Sequence, residues 1–420
     1  MSWWQGRDRR RAVAWIALLS VALLIPLTVA GCGQAQPKSI ELGAVLPLSG
    51  KFQAAGQYFK QGYEMAIDEV NQAGGIEING KKLPVNLTVL DDGSDPTTSR
   101  SLVEKLITQN HVHALLGGYD TVLVEAQEGV PDQYKIPYVE GGGAASAIFQ
   151  KGYKYIFGTL ATVYDMGKIT MEFLQAQIDQ GKLPKPLTIA VVWENTDHGK
   201  DYDAAVKDAA AAHPDYFKIV FDSPFDLNGS DFTSLLTQVK ASGADAFLSD
   251  AHLPDFITMH TQYTQMKMYN KFVSYGARGP DQKGRQALGS AADYLVSALW
   301  WTPALSNPQS QAFAQAYKAK YNQTADWFQA EAYETARALL RAIQNAGSLD
   351  GTKIRDALVQ LDMKDSILPG GELKFGPNGQ SEVPYVMVQN LPNNQVQVVW
   401  PTNLPEAKPA ILPMPTPGGK

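Results

Sequence analysis

The alternation of short apolar β-type runs with helical segments restricts the fold of this chain most. Runs such as Ile40–Leu46, 187–192 and 246–248 are mainly apolar, stop close to glycine, proline or an acidic residue, and precede segments with helical apolar spacing. Strands without a polar face indicate burial on both faces, which is typical of parallel sheets covered by helices. Two such series of similar size predict two α/β lobes.

Local signals place the individual elements. Apolar spacing from residue 58 to residue 70 predicts a long helix that stops at Gly74-Gly75, and Asp95-Pro96 supplies an N-cap and a first-turn proline for the next helix. Further strands are predicted at 85–90, 114–116, 136–139, 217–221 and 272–274, and further helices at 202–212, 231–241, 313–321 and 330–345. Short strands are expected from 372 to 399, followed by a loose Pro-rich tail at 401–420.

The N-terminal segment has the features of an export signal. Arginines at positions 7, 9, 10 and 11 precede an apolar run over 12–30, and Val29-Ala30-Gly31 leads directly into Cys32. This arrangement resembles the bacterial lipoprotein signal, which is cut before a lipidated cysteine. It predicts a signal peptide at 1–31 and a tether at 32–39. An uncleaved membrane helix is the alternative, because the run is just long enough to span a bilayer.

Composition and missing motifs narrow the possible functions. Cys32 is the single cysteine, which excludes an internal disulfide and a zinc site built on several thiolates. The formal net charge of −6 disfavours nucleic-acid binding. The sequence contains no phosphate-binding glycine loop, no nucleophile elbow and no His-Glu-x-x-His pair. We therefore predict no enzymatic activity, no catalytic residues, no cofactor and no metal.

The first block after the tether resembles one protein family. Its motifs are GAVLPLSG at 43–50, Ala55-Gly56, residues 62–68, Asn71-x-x-Gly74-Gly75-Ile76 and Asp91-Asp92-x-x-Asp95-Pro96. They are similar to those of the leucine/isoleucine/valine-binding proteins, the type I solute receptors of ABC importers. Looser matches extend the resemblance over residues 39–400, among them Ile136-Pro137, Phe157-Gly158-Thr159, His198-Gly199 and Trp300-Trp301.

The resemblance implies the type I periplasmic binding protein fold: two doubly wound α/β lobes joined by three crossover strands. The crossovers are expected near Ala161, Trp301 and Ile367. They divide the chain into an N-terminal lobe of 40–161 plus 301–366 and a C-terminal lobe of 162–300 plus 367–400. The implied partners are a small-molecule solute and an ABC permease. The expected state is an extracytoplasmic monomer, held at the membrane by lipid on Cys32.

In the first lobe, family members that bind amino acids hold the ligand carboxylate with a hydroxyl and backbone N–H groups. The matching positions are Thr121 and the loop of Gly141, Gly142, Gly143 and Ala144, where bare glycines let an anion approach the backbone. Thr121 is also suited to cap a helix, and the glycines are suited to a tight strand-to-helix turn. Ala144 lacks the second hydroxyl that amino-acid binders often carry, which removes one carboxylate contact.

In the second lobe, the family engages a ligand ammonium with an aromatic residue and an acid. His252 takes the aromatic position, whereas Gly276 takes the acidic one, which is a departure. Desolvating an unpaired ammonium costs several kcal/mol. An amino-acid ligand therefore needs another acid, and the candidates are Asp250, Asp165 and Glu140.

Five more residues are candidates for the cleft. Arg278 is suited to pair with an anion, with a surface arginine as the alternative. Tyr164 lies beside the first crossover, and His198 lies in a loop after a strand. Tyr119 and Tyr275 are weaker candidates for stacking on a flat ligand. A packing role is the alternative for each of these four side chains.

The functional hypothesis is a lipid-anchored receptor that captures a small carboxylate-bearing solute, such as a branched-chain or other amino acid, for an ABC importer. The changes at Gly276 and Ala144 motivate a different ligand, namely an aromatic acid, an amide or a urea-like solute. A surface enzyme or a ligand-sensing receptor is the alternative of another class, because a fold does not determine function.

Overall fold

The computed structural model describes residues 37–227 and 229–416. The predicted signal peptide, Cys32 and most of the predicted tether lie outside the described residues. The strands are β1 (Ile40–Leu46), β2 (Ile76–Ile78), β3 (Lys81–Leu83), β4 (Val85–Asp91), β5 (Ala114–Leu116), β6 (Tyr138–Glu140), β7 (Ile156–Gly158), β8 (Leu187–Glu194), β9 (Phe217–Phe225), β10 (Ala246–Asp250), β11 (Phe272–Tyr275), β12 (Val296–Leu299), β13 (Asp362–Met363), β14 (Leu373–Lys374), β15 (Val386–Leu391) and β16 (Gln395–Trp400).

Helices alternate with these strands. The α-helices are α1 (Gln53–Gln72), α2 (Pro96–Thr108), α3 (Thr121–Gln127), α4 (Gly129–Tyr134), α5 (Val163–Asp179), α6 (Asp197–Ala212), α7 (Thr233–Ser242), α8 (Leu253–Gln265), α9 (Gln282–Leu288), α10 (Pro308–Tyr321), α11 (Trp327–Ala346) and α12 (Gly351–Val359). Short 3₁₀ helices lie at Ser146–Gln150 and Gly289–Ala292. Within the described ranges, no helix combines the length and apolar character needed to cross a membrane.

The two larger sheets are parallel and each forms the centre of one lobe. The first has the strand order β4-β1-β5-β6-β7, and the second has the order β11-β10-β8-β9. In each sheet the chain adds strands first on one side and then on the other, so the order reverses between β1 and β5 and between β8 and β10. The predicted doubly wound α/β class is confirmed. Open sheets of this kind bind ligands outside the carboxyl ends of strands at the reversal.

Close helix packing in the first lobe positions the start of α11. A Cβ atom on Gly62 of α1 would lie 2.5 Å from the carbonyl oxygen of Gln329, so only glycine permits this approach. Asp326 and Gln329 form a capping box that starts α11. The first two residues of α11, Trp327 and Phe328, face the second lobe, where their rings lie near the Arg278 guanidinium.

Two of the expected crossovers are in contact with each other. Trp300 Nε1–H donates to the carbonyl of Ala161 at 2.9 Å. The Tyr385 hydroxyl donates to the carbonyl of Thr162 at 2.9 Å, and the ring centroids of Trp300 and Tyr385 are 5.3 Å apart. The three stretches between the lobes therefore share one hydrogen-bonded aromatic contact.

A segment beyond Ile367 pairs with the edge of the first sheet. Gln380 forms a parallel bridge with Gly158 of β7, and the Ser381 hydroxyl donates to the Thr159 carbonyl at 2.7 Å. The chain is thus beside the first sheet at residue 381. The crossover expected near Ile367 and the lobe boundaries stay predictions.

The expected loose tail is wrong for the described residues. Ile411 N–H donates to Gln389 Oε1 at 2.8 Å, and Met414 N–H donates to the Lys271 carbonyl at 2.8 Å. Proline density predicts a lack of regular structure, but it does not prevent single backbone groups from bonding to a neighbouring strand. The tail therefore packs along β15 and the loop before β11.

Candidate functional site

The carboxyl ends of the strands at both reversals carry buried polar residues. Glu194 is the last residue of β8 and Asp250 the last of β10, while Tyr119, Asp120 and Thr121 follow β5. None of the five is more than 4% exposed. Burying an ionised group is unfavourable unless it is paired and hydrogen-bonded. A charged cluster retained at these strand ends therefore marks the candidate site.

Two imidazoles link three carboxylates into a chain that crosses between the lobes. His252 Nε2 lies 3.3 Å from Asp120 Oδ2, and His252 Nδ1 lies 2.5 Å from Glu194 Oε2. His198 Nδ1 lies 3.5 Å from Glu194 Oε1 and 2.7 Å from Asp250 Oδ2. We call Asp120, His252, Glu194, His198 and Asp250 the acid–imidazole chain. Its Asp120–His252 contact joins the first lobe to the second.

The charges in this chain favour protonated imidazoles. Burial alone would lower the pKa of His252, but Glu194 and its other neighbours raise that pKa well above the usual value. Burial is likewise outweighed at His198, where Asp250 and Glu194 raise the pKa. Burial alone would raise the pKa of Glu194, yet His252 and His198 lower it to about 2. The chain therefore alternates carboxylates with imidazolium cations.

Part of the acid–imidazole chain also has the kinds of ligand atom that bind a cation. Glu194, His198 and Asp250 offer three ligand atoms that lie within 4.8 Å of one another. Two ligands on a tetrahedral zinc ion, each bonded at about 2.0–2.1 Å, lie roughly 3.3 Å apart. The 2.7 Å between His198 Nδ1 and Asp250 Oδ2 is shorter and is a hydrogen-bond distance. The geometry favours a shared proton at His198.

Arg278 is the only buried side chain among the arginines and lysines in the described ranges. Its Nε–H donates to the Ala251 carbonyl at 3.2 Å, and Nη2–H donates to the Tyr119 hydroxyl at 3.1 Å. The guanidinium carbon lies 5.4 Å from the Trp327 ring centroid and 5.5 Å from that of Phe328. Nη1 has no hydrogen-bond partner among the described residues. Arg278 thus contributes a cation with one unused donor group.

The glycine loop of the first lobe is occupied by a side chain of its own lobe. Gly142 N–H and Gly143 N–H donate to Glu140 Oε2, at 2.8 and 2.6 Å. Ala144 N–H donates to Thr121 Oγ1 at 3.2 Å, which leaves the Thr121 O–H available as a donor. The two glycine N–H groups predicted to hold a ligand carboxylate are therefore already bonded in this structure.

The departure at Gly276 has a structural counterpart. Gly276 has φ +55°, and a Cβ atom there would lie 3.1 Å from Asp250 Oδ1. The carboxylate of Asp250 therefore approaches the position where the family carries its acid. Of the three alternative acids predicted for an ammonium, Asp250 belongs to the acid–imidazole chain. Glu140 bonds the glycine loop, and Asp165 accepts a hydrogen bond from Thr162 at 2.6 Å.

The predicted cleft residues separate into two groups. His198, His252, Asp250, Arg278 and Tyr119 meet between the lobes. The two other tyrosines do not join them. The Tyr164 hydroxyl donates to Asp208 Oδ2 at 2.8 Å on the exposed side of α5, and Tyr275 is fully buried in the second lobe, 3.1 Å from His260 Nδ1. In this structure both tyrosines contact other protein side chains, and their contact with a solute stays a prediction.

Sequence reasoning missed four residues at the site. Glu194 and Asp120 carry the centre and the first-lobe end of the acid–imidazole chain. Phe52 lies with its ring centroid 5.4 Å from that of His252, and Trp327 lies against Arg278. The signal for Glu194 was its place at the end of an apolar strand. No comparable signal marks Trp327, because its helix is distant from β5 along the chain.

The two sheets, the linked crossovers and the charged interlobe cluster define a two-lobed solute-binding protein. The chain belongs to the periplasmic binding protein family, whose sequence profile matches residues 39–394. The family is extracytoplasmic, which agrees with the predicted location outside the cytoplasm.

Relatives and solved structures agree with this assignment. The Leu/Ile/Val-binding protein homolog 8 of Brucella abortus is 28% identical over 382 residues, covering 88% of this chain and 92% of its own. The substrate-binding protein LivJ of Streptococcus pneumoniae, in complex with isoleucine, has a TM-score of 0.76 at 21% identity, covering 87% and 100%. A solute-binding protein of R. palustris in complex with benzoate has a TM-score of 0.75 at 18% identity, covering 89% and 99%.

Proposed function

We propose that this protein is the solute receptor of an ABC importer and that it captures a small zwitterionic solute of the amino-acid class between its lobes. The acid–imidazole chain carries this proposal. It places carboxylates of both lobes, Asp120 on one side with Glu194 and Asp250 on the other, around the reversals of the two sheets. An ammonium group that enters there meets buried acceptors from both lobes at once.

Charge balance supports a zwitterion. With both imidazoles protonated, the three carboxylates of the acid–imidazole chain exceed its two cations by one charge, and the Arg278 guanidinium is a further cation close to Asp250 and Glu194. A solute with equal positive and negative charge leaves this balance intact. A solute with unpaired net charge would have to be desolvated without a counter-charge, at a cost of several kcal/mol.

Thermal melting and calorimetry with a solute panel test the proposal. The panel holds the twenty L-amino acids, matched carboxamides, matched amines and simple acids including benzoate. A bound solute at a hundred times its dissociation constant stabilises the protein by about 2.7 kcal/mol. We expect a shift with at least one amino acid, and a smaller radius of gyration by X-ray scattering in its presence because the lobes close. The absence of any shift across the panel would contradict the receptor function.

A second ligand class is supported by the aromatic side chains at the site. The Tyr119 ring packs edge-to-face against Phe52 and Phe328, with centroids 5.8 and 5.6 Å apart, so several aromatic rings border the site. Aromatic acids, amides and urea-like solutes belong to this class, and the benzoate arm of the panel addresses it. Recovery of the bound solute without chemical change separates a receptor from a surface enzyme.

The membrane attachment is a further part of the proposal. The export signal ends directly on Cys32, and a diacylated cysteine holds a protein stably at a membrane. Radiolabelled fatty acid should therefore enter the wild-type protein and not the Cys32→Ser variant, which should appear in the soluble fraction. Labelling that persists in the variant would overturn the anchor. Gel filtration checks the predicted monomer.

A further inference from the structure

The carboxylate of an amino-acid solute needs donors that the glycine loop does not offer in this structure. Glu140 accepts the N–H groups of both Gly142 and Gly143, and its own side chain is fully buried. An incoming carboxylate would have to displace a carboxyl group that is already sealed in the first lobe. The remaining hydroxyl of Thr121 supplies a single donor.

Two buried donors between the lobes have no partner among the described residues. Nη1 of Arg278 and Nε1 of Trp327 are both without a hydrogen-bond acceptor, and their side chains are 3% and 1% exposed. A buried donor left without an acceptor is destabilising, and a bound group that supplies the missing acceptor is one explanation for such an atom. The Trp327 ring centroid lies 5.4 Å from the guanidinium carbon, so the two side chains that carry these donors are neighbours.

The two donors come from different lobes. Arg278 follows β11 in the second lobe, whereas Trp327 begins α11 in the first lobe. A carboxylate accepting from both would therefore connect the lobes. Nη1 of Arg278 has no hydrogen-bond partner among the described residues, although Asp281, Asp250 and Glu194 lie near enough to raise the Arg278 pKa.

We propose that Arg278 and Trp327 form the subsite for the carboxylate of the solute and take the place of the glycine loop. The proposal rests on the receptor function stated above and specifies its ligand as a carboxylate-bearing solute. Tyr119 accepts from Arg278, and the next residue, Asp120, begins the acid–imidazole chain. The carboxylate and ammonium subsites are therefore adjacent, as an α-amino acid requires.

The test compares binding of an acid with binding of its carboxamide. Titration calorimetry is run on wild type, Arg278→Gln, Arg278→Lys and Trp327→Phe, with every panel amino acid that shifts the wild-type melt and with its carboxamide. A hydrogen bond to a charged group is worth about a 10- to 100-fold change in affinity. We expect Arg278→Gln to weaken the acid by that factor and the carboxamide less than threefold. Trp327→Phe, which keeps the ring, should weaken the acid by a smaller factor.

Arg285→Gln is the matched control. Arg285 lies seven residues after Arg278 and is half-buried. Unlike Arg278, it donates to two carbonyl groups, those of Pro280 and Asn394. It should leave the acid-to-amide ratio unchanged. Circular dichroism and melting of each variant establish that it folds, and Arg278→Lys with Trp327→Phe carry the test if Arg278→Gln does not fold.

Each outcome is decisive. If Arg278→Gln weakens the binding of acid and carboxamide equally, Arg278 is a packing residue and the proposed subsite is overturned. Binding of a solute by the wild type would still uphold the receptor function. A wild-type protein that binds only solutes without a carboxylate would also overturn the subsite alone. Binding of no solute at all would overturn the receptor function, and the subsite with it.

Discussion

Removing the carboxylate of Glu194 tests the physical account of the acid–imidazole chain. Glu194 contacts both imidazoles, His252 at 2.5 Å and His198 at 3.5 Å, and is fully buried in the second lobe. The Glu194→Gln change keeps the side-chain shape and removes the charge. Both imidazolium cations then lose a counter-ion that they cannot replace with water.

Two independent arguments give the same magnitude. The pKa of Glu194 falls from its usual 4.5 to about 2 in the folded protein. At about 1.4 kcal/mol per pKa unit, this shift corresponds to roughly 3 kcal/mol of stability. Breaking a buried ion pair by removing one partner typically costs about 3–5 kcal/mol. We expect Glu194→Gln to lower the free energy of unfolding by about 3 kcal/mol.

The pH dependence gives the sign. The depressed pKa of Glu194 means that its stabilisation is complete above about pH 4.5 and is lost as the pH falls toward 2. The pKa values of His252 and His198 are raised, so the stabilisation from these two residues is complete below about pH 6.5. It is lost as the pH rises through their pKa values in the folded protein. The contribution of the acid–imidazole chain to stability should therefore be greatest between these limits and fall on both sides.

Urea unfolding at a series of pH values measures these effects. The control is Glu172→Gln, a half-exposed carboxylate 4.0 Å from Lys168, whose loss should cost less than about 1 kcal/mol. Glu194→Gln should flatten the pH profile as well as lower it. A loss below about 1 kcal/mol at pH 5.5, or a profile identical to wild type, would refute the assignment of the chain as ion-paired.

Three further changes test other parts of the structure. Burial raises the pKa of Glu140 to about 8, so the wild type loses stability as the pH rises from about 4.5 to 8. In urea unfolding, the Glu140→Gln variant should therefore be as stable as the wild type at pH 5 and more stable by roughly 3–5 kcal/mol at pH 9. An equal loss of stability at both pH values would contradict this. Gly142→Ala places a Cβ atom 2.3 Å from the Gly118 carbonyl oxygen and should cost about 1–3 kcal/mol in the same assay; an unchanged midpoint would mean that the loop yields freely. Trp300→Phe removes the 2.9 Å bond to the Ala161 carbonyl and should cost about 1–2 kcal/mol; no loss would argue against a structural contact between the crossovers.

Local sequence signals determined the elements and therefore much of the fold. Asp95 caps α2 through Thr98 N–H at 2.7 Å, with Pro96 in the first turn, as predicted. The predicted ends of the helices and strands were less accurate. α6 starts earlier than predicted because the Thr196 hydroxyl accepts from Gly199 N–H at 3.3 Å, a capping signal that apolar spacing does not contain.

Sequence reasoning reached residues of the interlobe cluster where their position depends on the end of a strand. Asp250 and His252 follow an apolar strand, and strand ends at a reversal converge whatever the sequence between them. Tyr275 and Tyr164 do not join this cluster, because a tyrosine beside a cleft residue in sequence points elsewhere once the strand or helix is formed, and their contact with a solute stays a prediction. Trp327 is far from every other site residue in sequence and was not a candidate.

The sequence by itself determined that strands and helices alternate, where most of them lie, and which family the chain resembles, because these properties depend on local spacing and short motifs. Only the tertiary structure decided which charges face one another. Glu140 accepts hydrogen bonds from the glycine loop, His252 contacts both Asp120 and Glu194, and Arg278 is left with an unused donor. These outcomes depend on distances of a few ångströms between segments distant in sequence, and hydrogen bonds and ion pairs form or fail on that scale.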